Sequence, residues 1–151
     1  MQNLWAPWRS QFVLNKKEHG CIFCKRLKQK EDRKNVIIHR GEKCFIIMNR
    51  FPYNSGHLMV APIRHIGELE KLTKAEMLEL MELQQLCIKL LRKELKPQGF
   101  NTGMNLGKVA GAGIANHIST WCHVGRGIPI SCRFWVRPKS CRLGWRRCIK
   151  S

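Results

Sequence analysis

Two cysteines near the start of the chain have a spacing that suits metal binding. Cys21 and Cys24 form a C-x-x-C pair, which allows two thiolates to occupy two corners of a tetrahedral zinc site. The same spacing occurs in redox pairs, and two thiols can also simply pack together. Taken alone, the pair leaves all three interpretations open.

A glycine-rich turn runs from Asn105 to Gly113 with the sequence NLGKVAGAG. Its small residues allow a close backbone approach, and exposed N–H groups in such a turn can hold phosphate oxygens. It is not a Walker loop, because no Gly-Lys-Ser/Thr follows. The alternative is a tight turn between strands. The residues that follow are IANH, which ends at His117.

The pattern of apolar and turn residues predicts an α+β domain, whose helices and strands must position these residues. A helix is expected over about 73–96, because Thr73 and Glu76 form a capping box and Pro97 ends an apolar helical face. Residues 1–34 are expected to be irregular. The predicted apolar face comprises Met77, Leu80, Met81, Leu83, Leu86, Cys87, Leu90, Leu91 and Leu95. The predicted strands are Val36–His39 and Cys44–Met48, hinged as a hairpin at 40–42, then His57–Ile63 and Phe100–Asn105.

Composition predicts one soluble domain and shows a break near its end. A chain of 151 residues is long enough for a single core. No apolar run is long enough to span a membrane, and a cytoplasmic setting would keep the eight cysteines as thiols or metal ligands. The net charge of the chain is +18. Residues 118–151 hold eight Lys/Arg and no acidic residue, and the last acidic residue of the chain is Glu94.

Four stretches of the sequence resemble the histidine-triad (HIT) superfamily. They are LWAPWR, CIFC, NRFPYNSGHLMVAPIRH and GFNTGMNLGKVAGAGIANH. The branch they resemble most is that of the bacterial diadenosine-polyphosphate hydrolases and phosphorylases, and the resemblance covers about residues 1–118. It implies a HIT-like antiparallel sheet with flanking helices, a homodimer and nucleotide binding. It also implies nucleotidyl transfer, in which the middle histidine of His-φ-His-φ-His attacks the α-phosphate.

The resemblance also implies roles for individual residues. Asn49 would lie near the ribose, and Asn105, Gly111 and Gly113 would contact phosphates. His57 either lines the nucleotide site or is a packed strand histidine. Many relatives complete a zinc site with two histidines that correspond to His65 and His117. The expected zinc ligands are therefore Cys21, Cys24, His65 and His117.

The chain departs from the family pattern directly after the first triad histidine. The three triad positions hold His117, Ser119 and Trp121, so the nucleophilic imidazole is absent. A serine hydroxyl is a poor substitute, since it needs an adjacent general base. His123 has the right parity, but four strand residues separate it from Ser119 by roughly 13 Å. We therefore expect no intact catalytic residue, with His117 the surviving first triad histidine.

The segment 119–151 differs in composition from the rest of the chain. It carries three of the five tryptophans and four of the eight cysteines. A shifted frame of allowed codons for Ser119–Trp135 can encode HLVPRWEGDTNFMPV, which resembles the segment that the family carries after its middle histidine. We interpret the chain as a HIT-like nucleotide-binding domain, 1–118, followed by a basic tail, 119–151, that is disordered or out of frame.

Other interpretations of the tail and of the chain remain open. The tail could be a genuine divergent segment. The chain could also be a basic nucleic-acid-binding protein that uses the tail nonspecifically. If the tail is out of frame, the strand after Ile118 should be short or missing, and residues from about 125 onward should be mobile.

Overall fold

The computed structural model describes residues 20–52 and 54–125. The start of the chain and the tail beyond residue 125 lie outside these ranges. The prediction that the tail is mobile therefore concerns residues outside the described ranges. No helix among the described residues is long and apolar enough to cross a membrane.

Five strands form one antiparallel sheet with the order β1-β2-β3-β5-β4. They are β1 (Ile37–Arg40), β2 (Cys44–Met48), β3 (Leu58–Pro62), β4 (Phe100–Met104) and β5 (Thr120–Val124). The helices are α1 (Ile22–Lys28), α2 (Asp32–Asn35) and α3 (Lys74–Leu95), with a 3-10 turn at Leu69–Lys71. The predicted α+β class, the antiparallel sheet and the flanking helices are confirmed.

The long helix α3 begins and ends where the sequence predicts. The Glu76 N–H donates to Thr73 Oγ1 at 3.2 Å, and the Thr73 N–H donates to the Glu76 carboxylate at 2.9 Å. Lys96 ends the helix in the left-handed region, with φ +44°, directly before Pro97. The predicted apolar face is wrong at Met77 and Met81, which are 42% and 53% exposed.

The sheet buries its two faces against different helices. On one face α3 packs against the sheet to form a core that contains Cys44, Ile46, Leu58, Val60, Leu80, Leu83, Cys87, Leu91 and Cys122. On the other face α1 packs against strands β1 to β3, and the buried residues are Phe23, Leu27, Ile37, Phe45, Ile47 and Ala61. The contacts of α1 therefore lie at the β1 side of this face, whereas β5 and β4 form its other side.

Two further expectations from the sequence are wrong. Residues 1–34 are not irregular throughout, since α1 and α2 begin within them. The strand after Ile118 is neither short nor missing: β5 has five residues, as β3 and β4 have, and it pairs with β3 at Leu58–Cys122 and with β4 at Thr102–Cys122. Residues 120–124 alternate between buried and half-buried positions, which is the period-two pattern of a strand with one face in the core.

Glu76 links the start of α3 to the segment after β3. Its carboxylate accepts hydrogen bonds from the Arg64 guanidinium at 2.8 and 2.9 Å. The Arg64 hydrogen bonds, followed by the N–H of Thr73, lower the pKa of Glu76 from 4.5 to about 2. Since the folded protein favours the ionised form of Glu76 over the protonated form, this side chain stabilises the fold above pH 4.5. That contribution is lost as pH falls from 4.5 to about 2.

We expect Glu76→Gln to lower the free energy of unfolding at pH 7 by roughly 1–2 kcal/mol, because the charged hydrogen bonds become neutral ones. The difference from the natural chain should shrink as pH falls below 4.5 and vanish near 2. Urea unfolding at pH 7 and pH 3 measures it. Glu82→Gln, at an exposed position of the same helix, is the matched control. An equal loss at both pH values would contradict the proposed linkage.

Candidate functional site

Four side chains with metal-binding atoms meet at one place in the fold. The ligand atoms of Cys21, Cys24, His65 and His117 all lie within 4.8 Å of one another. The Sγ atom of Cys21 lies 3.2 Å from His117 Nδ1, and that of Cys24 lies 3.3 Å from His65 Nδ1. Within residues 20–52 and 54–125 it is the only such group of three or more ligands. The four residues predicted from the resemblance are thus brought together.

Three segments of the chain supply the four ligands. Cys21 precedes the first turn of α1 and Cys24 lies within it, so the helix holds both thiols on one side. His65 follows the end of β3, and His117 precedes β5. The two histidine segments run close together, since the Ile118 N–H donates to the Ile66 carbonyl at 2.7 Å.

A glycine makes this close approach possible. A Cβ at Gly67 would lie 2.9 Å from Asn116 Cα and 3.0 Å from its carbonyl carbon. Both atoms belong to the backbone, so neither can move aside as a flexible side chain would. A larger residue at position 67 would therefore push the His117 segment away from the end of β3.

The ring of His117 has a fixed tautomer. Its Nε2–H donates to the Pro62 carbonyl at 2.8 Å, which leaves Nδ1 as the atom with a lone pair toward the thiols. The ring is 1% exposed. Burial, more than the nearby His65, lowers the pKa of His117 and favours the neutral imidazole that metals bind.

The donor set fits a tetrahedral divalent ion. Burial and the neighbouring Cys21 thiol raise the pKa of Cys24, so two adjacent thiolates are disfavoured without a positive charge between them. A divalent cation reverses this preference by drawing the protons off both thiols. Two thiolates and two neutral imidazoles form a ligand set that Zn²⁺ takes.

Two further pairs of predicted site residues are in contact. Asn49 Nδ2 lies 3.4 Å from each ring nitrogen of His57, and Asn49 Oδ1 accepts the Phe51 N–H at 2.8 Å. Asn105 Nδ2 donates to the Gly111 carbonyl at 3.3 Å. Among the described residues, no hydrogen bond joins one pair to the other.

The glycine-rich turn is partly closed on itself. The N–H groups of Gly111 and Ala112 donate to the carbonyls of Lys108 and Gly107. These two amides are therefore engaged within the turn, whereas the sequence led us to expect exposed donors. Gly111 has φ +88°, a conformation that side chains rarely adopt, and Gly113 is exposed.

Comparison with known proteins decides the family. Residues 29–118 match the HIT domain model. The chain belongs to the HIT-domain family. The match ends at Ile118, one residue before the position where the nucleophilic histidine is expected, and it begins after the cysteine pair of the metal cluster.

A phosphorylase is similar to this HIT-domain chain in sequence, and a hydrolase is similar to it in fold alone. An AP-4-A phosphorylase of Mycobacterium tuberculosis is 35% identical over 126 residues, which cover 78% of this chain and 65% of that protein. The chain thus spans about two thirds of that relative's length. A diadenosine triphosphate hydrolase of Plasmodium falciparum has a similar fold, with TM-score 0.59, 14% identity, and 68% and 75% of the two chains covered.

A zinc-bound histidine triad family protein of Mycobacterium smegmatis also has this fold. Its TM-score is 0.67 at 22% identity, and the likeness covers 87% of this chain and 94% of that chain. At this identity the likeness concerns the fold alone. The comparisons give no support to the alternative of a nucleic-acid-binding protein.

The triad region of this HIT domain lies at the entrance to β5. His117 is committed to the cluster, Ser119 is half-buried, and Trp121 and His123 occupy the sheet face opposite α3. Within residues 20–52 and 54–125, no hydrogen bond joins the Ser119 hydroxyl to an imidazole or carboxylate. The rings of Trp121 and His123 stack, with centroids 5.3 Å apart, and this contact was not predicted from the sequence. The sequence did contain a signal for it, since side chains two residues apart on a strand lie on the same face.

Proposed function

We propose that this chain binds an adenine nucleotide or dinucleotide and does not carry out the nucleotidyl transfer of its HIT-domain relatives. The observation that carries the proposal is Ser119, which stands where the family nucleophile belongs and has no general base bound to it. Family membership and the 35% identity to an AP-4-A phosphorylase support the nucleotide as ligand.

No neighbouring histidine takes over the role of nucleophile. Nδ1 of His117 faces the two thiols and Nε2 donates to Pro62, so neither ring nitrogen is available to attack a phosphate. The Nδ1–H of His123 donates to the Val124 carbonyl at 2.9 Å, and this residue lies at the far end of β5 from Ser119. The chain therefore keeps a binding fold without its attacking group.

The proposed nucleotide contacts follow the two residue pairs described above. Asn49 and His57 would lie near the ribose, with the Asn49 side chain held by the Phe51 N–H. Asn105, Gly111 and Gly113 would contact phosphate oxygens, Gly113 through an exposed backbone. Binding should be weak, because two amides of the turn are already engaged within it.

The cysteine–histidine cluster is proposed to hold one Zn²⁺ ion. Cys21, Cys24, His65 and His117 supply four protein ligands, which closes the tetrahedral coordination shell. A closed site serves the fold, since it leaves no position for a reacting water. When bound, the ion would join α1, the end of β3 and the entrance to β5.

The protein is further proposed to act as a cytoplasmic homodimer. Free thiols at five described cysteines suit a reducing compartment. Apolar side chains exposed on α3 suit a protein partner, with Met77, Leu78 and Met81 exposed by 42%, 63% and 53%. Nonspecific binding of nucleic acid through the basic tail remains a prediction on residues outside the described ranges.

We expect the natural chain to hydrolyse or phosphorolyse diadenosine tetraphosphate at a rate near the uncatalysed background. Ser119→His should raise turnover by roughly 10²-fold or more, because it supplies the missing imidazole. Chromatographic separation of released mononucleotides measures both. Ser119→Asn is the control for a side chain of intermediate size that cannot act as nucleophile. Robust turnover by the natural chain, unchanged in Ser119→Ala, would overturn the proposal.

Purified protein should hold about one zinc per chain, and Cys24→Ser should remove most of it, because a thiolate ligand is lost. Elemental analysis measures the content. Cobalt substitution provides an independent readout through the thiolate absorption band. His39→Asn on β1 removes a histidine outside the cluster and should retain the metal. Equal zinc in Cys24→Ser and the natural chain would exclude this site.

Replacing Leu78 and Met81 together by lysine should shift a dimer toward monomer, since it places charges in the proposed contact. Light scattering coupled to size exclusion measures the mass. Glu82→Lys on the same helix tests whether added charge alone has this effect. A natural chain that is monomeric at high micromolar concentration would show the homodimer proposal to be wrong.

A further inference from the structure

The five described cysteines fall into two groups that differ in exposure. Cys44, Cys87 and Cys122 lie in the core and are 0% exposed. Cys21 and Cys24 are half-buried, so a small oxidant in solution reaches these two thiols and not the other three. The proposed zinc site explains why the two accessible thiols stand together, but it leaves their own reactivity unused.

The two accessible thiols are close enough to react with each other. Their Sγ atoms lie within 4.8 Å, and the two thiols are hydrogen-bond partners. Cys24 lies in the first turn of α1, whereas Cys21 precedes the helix with an extended backbone, φ −80° and ψ 115°. Because Cys21 is outside the helix, its side chain can turn toward Cys24 without breaking a helical turn. C-x-x-C pairs of this kind also serve as redox-active dithiols.

Each thiol has an imidazole beside it. Cys24 Sγ lies 3.3 Å from His65 Nδ1, and Cys21 Sγ lies 3.2 Å from His117 Nδ1. A thiol attacks only as its thiolate, so a ring nitrogen at this distance can act as the base that takes the proton. The two pairs differ in access, because His65 is exposed and His117 is 1% exposed. An oxidant therefore meets Cys24 and His65 first.

We propose that Cys21 and Cys24 form an oxidation site, at which a hydroperoxide converts the two thiols into a disulfide and so removes two of the four zinc ligands. A disulfide offers no thiolate, and the two imidazoles that remain are too few ligands for a closed tetrahedral site. The effect on the metal rests on the proposed zinc site. The oxidation itself requires only the two thiols.

The reaction has two steps. In the first, the Cys24 sulfur attacks one oxygen of the hydroperoxide as its proton passes to His65, and the O–O bond breaks. Cys24 becomes a sulfenic acid, and the other oxygen leaves with that proton as water, or as an alcohol from an organic hydroperoxide. In the second, the Cys21 sulfur attacks the Cys24 sulfur. The S–S bond forms, the S–O bond breaks, and the hydroxyl leaves with the Cys21 proton as water. The two thiols lose two electrons, which reduce the peroxide.

Oxidation would loosen one joint of the fold and leave the sheet in place. The ion would no longer join α1 to the end of β3 and the entrance to β5. The hydrogen bond from His117 to Pro62 and that from Ile118 to Ile66 involve no thiol, so they persist. A small thiol reductant would restore the dithiol by exchange. In a reducing compartment such a disulfide is transient, as in other redox-sensing cysteines.

The zinc-loaded chain treated with hydrogen peroxide at neutral pH tests the proposal. Peptide mass spectrometry should find a Cys21–Cys24 disulfide, and a chromophoric chelator should detect about one zinc released per disulfide. Dithiothreitol should restore both thiols and zinc binding. Cys21→Ser should stop the reaction at the Cys24 sulfenic acid, which dimedone traps. Cys24→Ser should give little trapped product.

The role of His65 is measured in metal-free protein, which separates the base from the ligand. His65→Asn should slow the oxidation of Cys24 by roughly tenfold or more. His39→Asn on β1 is the matched control and should react at the natural rate. Circular dichroism verifies folding. Disulfide mapping in the natural chain needs no substitution, so it decides the proposal even where a variant does not fold.

Several outcomes would overturn the oxidation site. One is a zinc-loaded chain that keeps its zinc and both thiols under peroxide that fully oxidises glutathione. Another is oxidation of the core cysteines before Cys21 and Cys24. Zinc retained after the disulfide has formed also overturns it, and an unchanged rate in His65→Asn overturns the assigned base. A disulfide in a chain that never binds zinc overturns the zinc site but leaves the oxidation site standing.

Discussion

The buried ring of His117 joins the parts of this fold. Its Nε2–H binds the carbonyl that ends β3, and its Nδ1 faces the thiols at the start of α1. The next residue, Ile118, donates its N–H to Ile66. Because β5 lies between β3 and β4, the place where the chain enters β5 sets the register of that half of the sheet. The position of the Trp121 side chain follows from that register.

Because both ring nitrogens of His117 are engaged in contacts that hold the fold, this residue has a structural role and no role as a nucleophile. A histidine with both ring nitrogens engaged can hold segments together, but it cannot attack a phosphate. In the family pattern the attacking group is the next histidine on the same face, and here that position is a serine. The loss of catalysis that we propose would therefore remove none of the contacts that hold the fold. A protein that binds nucleotide without turnover is consistent with this division.

Local sequence signals predicted the fold well where one segment determines its own structure. The capping box at Thr73 and Glu76 placed α3 within one residue, and the hairpin spacing and apolar composition of Cys44–Met48 placed β2 without error. Helix α1 was missed because it is only seven residues long, and its buried positions Phe23 and Leu27 form a single i, i+4 pair. The exposed Met77 and Met81 show that periodicity alone cannot say how wide the covered face of a helix is.

Long-range features could not be derived from the residues in the same way. The cluster joins Cys21 to a histidine 96 positions later, and the C-x-x-C pair carries no information on which histidines complete it. Only the family resemblance supplied those two. For β5, the composition of the tail was given more weight than the local pattern of residues 120–124, and the expectation of a short or missing strand was therefore wrong. The shared parity of Trp121 and His123 predicted a common face, but the packing of the Trp121 ring over Gly103 depends on β4.

The strand β5 shows what a sheet requires of a sequence and what it does not. The family match ends at Ile118, and β5 begins two residues later with Thr-Trp-Cys-His-Val. Alternating burial, β-branched and aromatic side chains and partners on both sides are sufficient to pair it with β3 and β4. The identity of each outward side chain is left open by these requirements. Chemistry depends on that identity, so a change of sequence that preserves the strand can remove a nucleophile and place an aromatic ring on the same face.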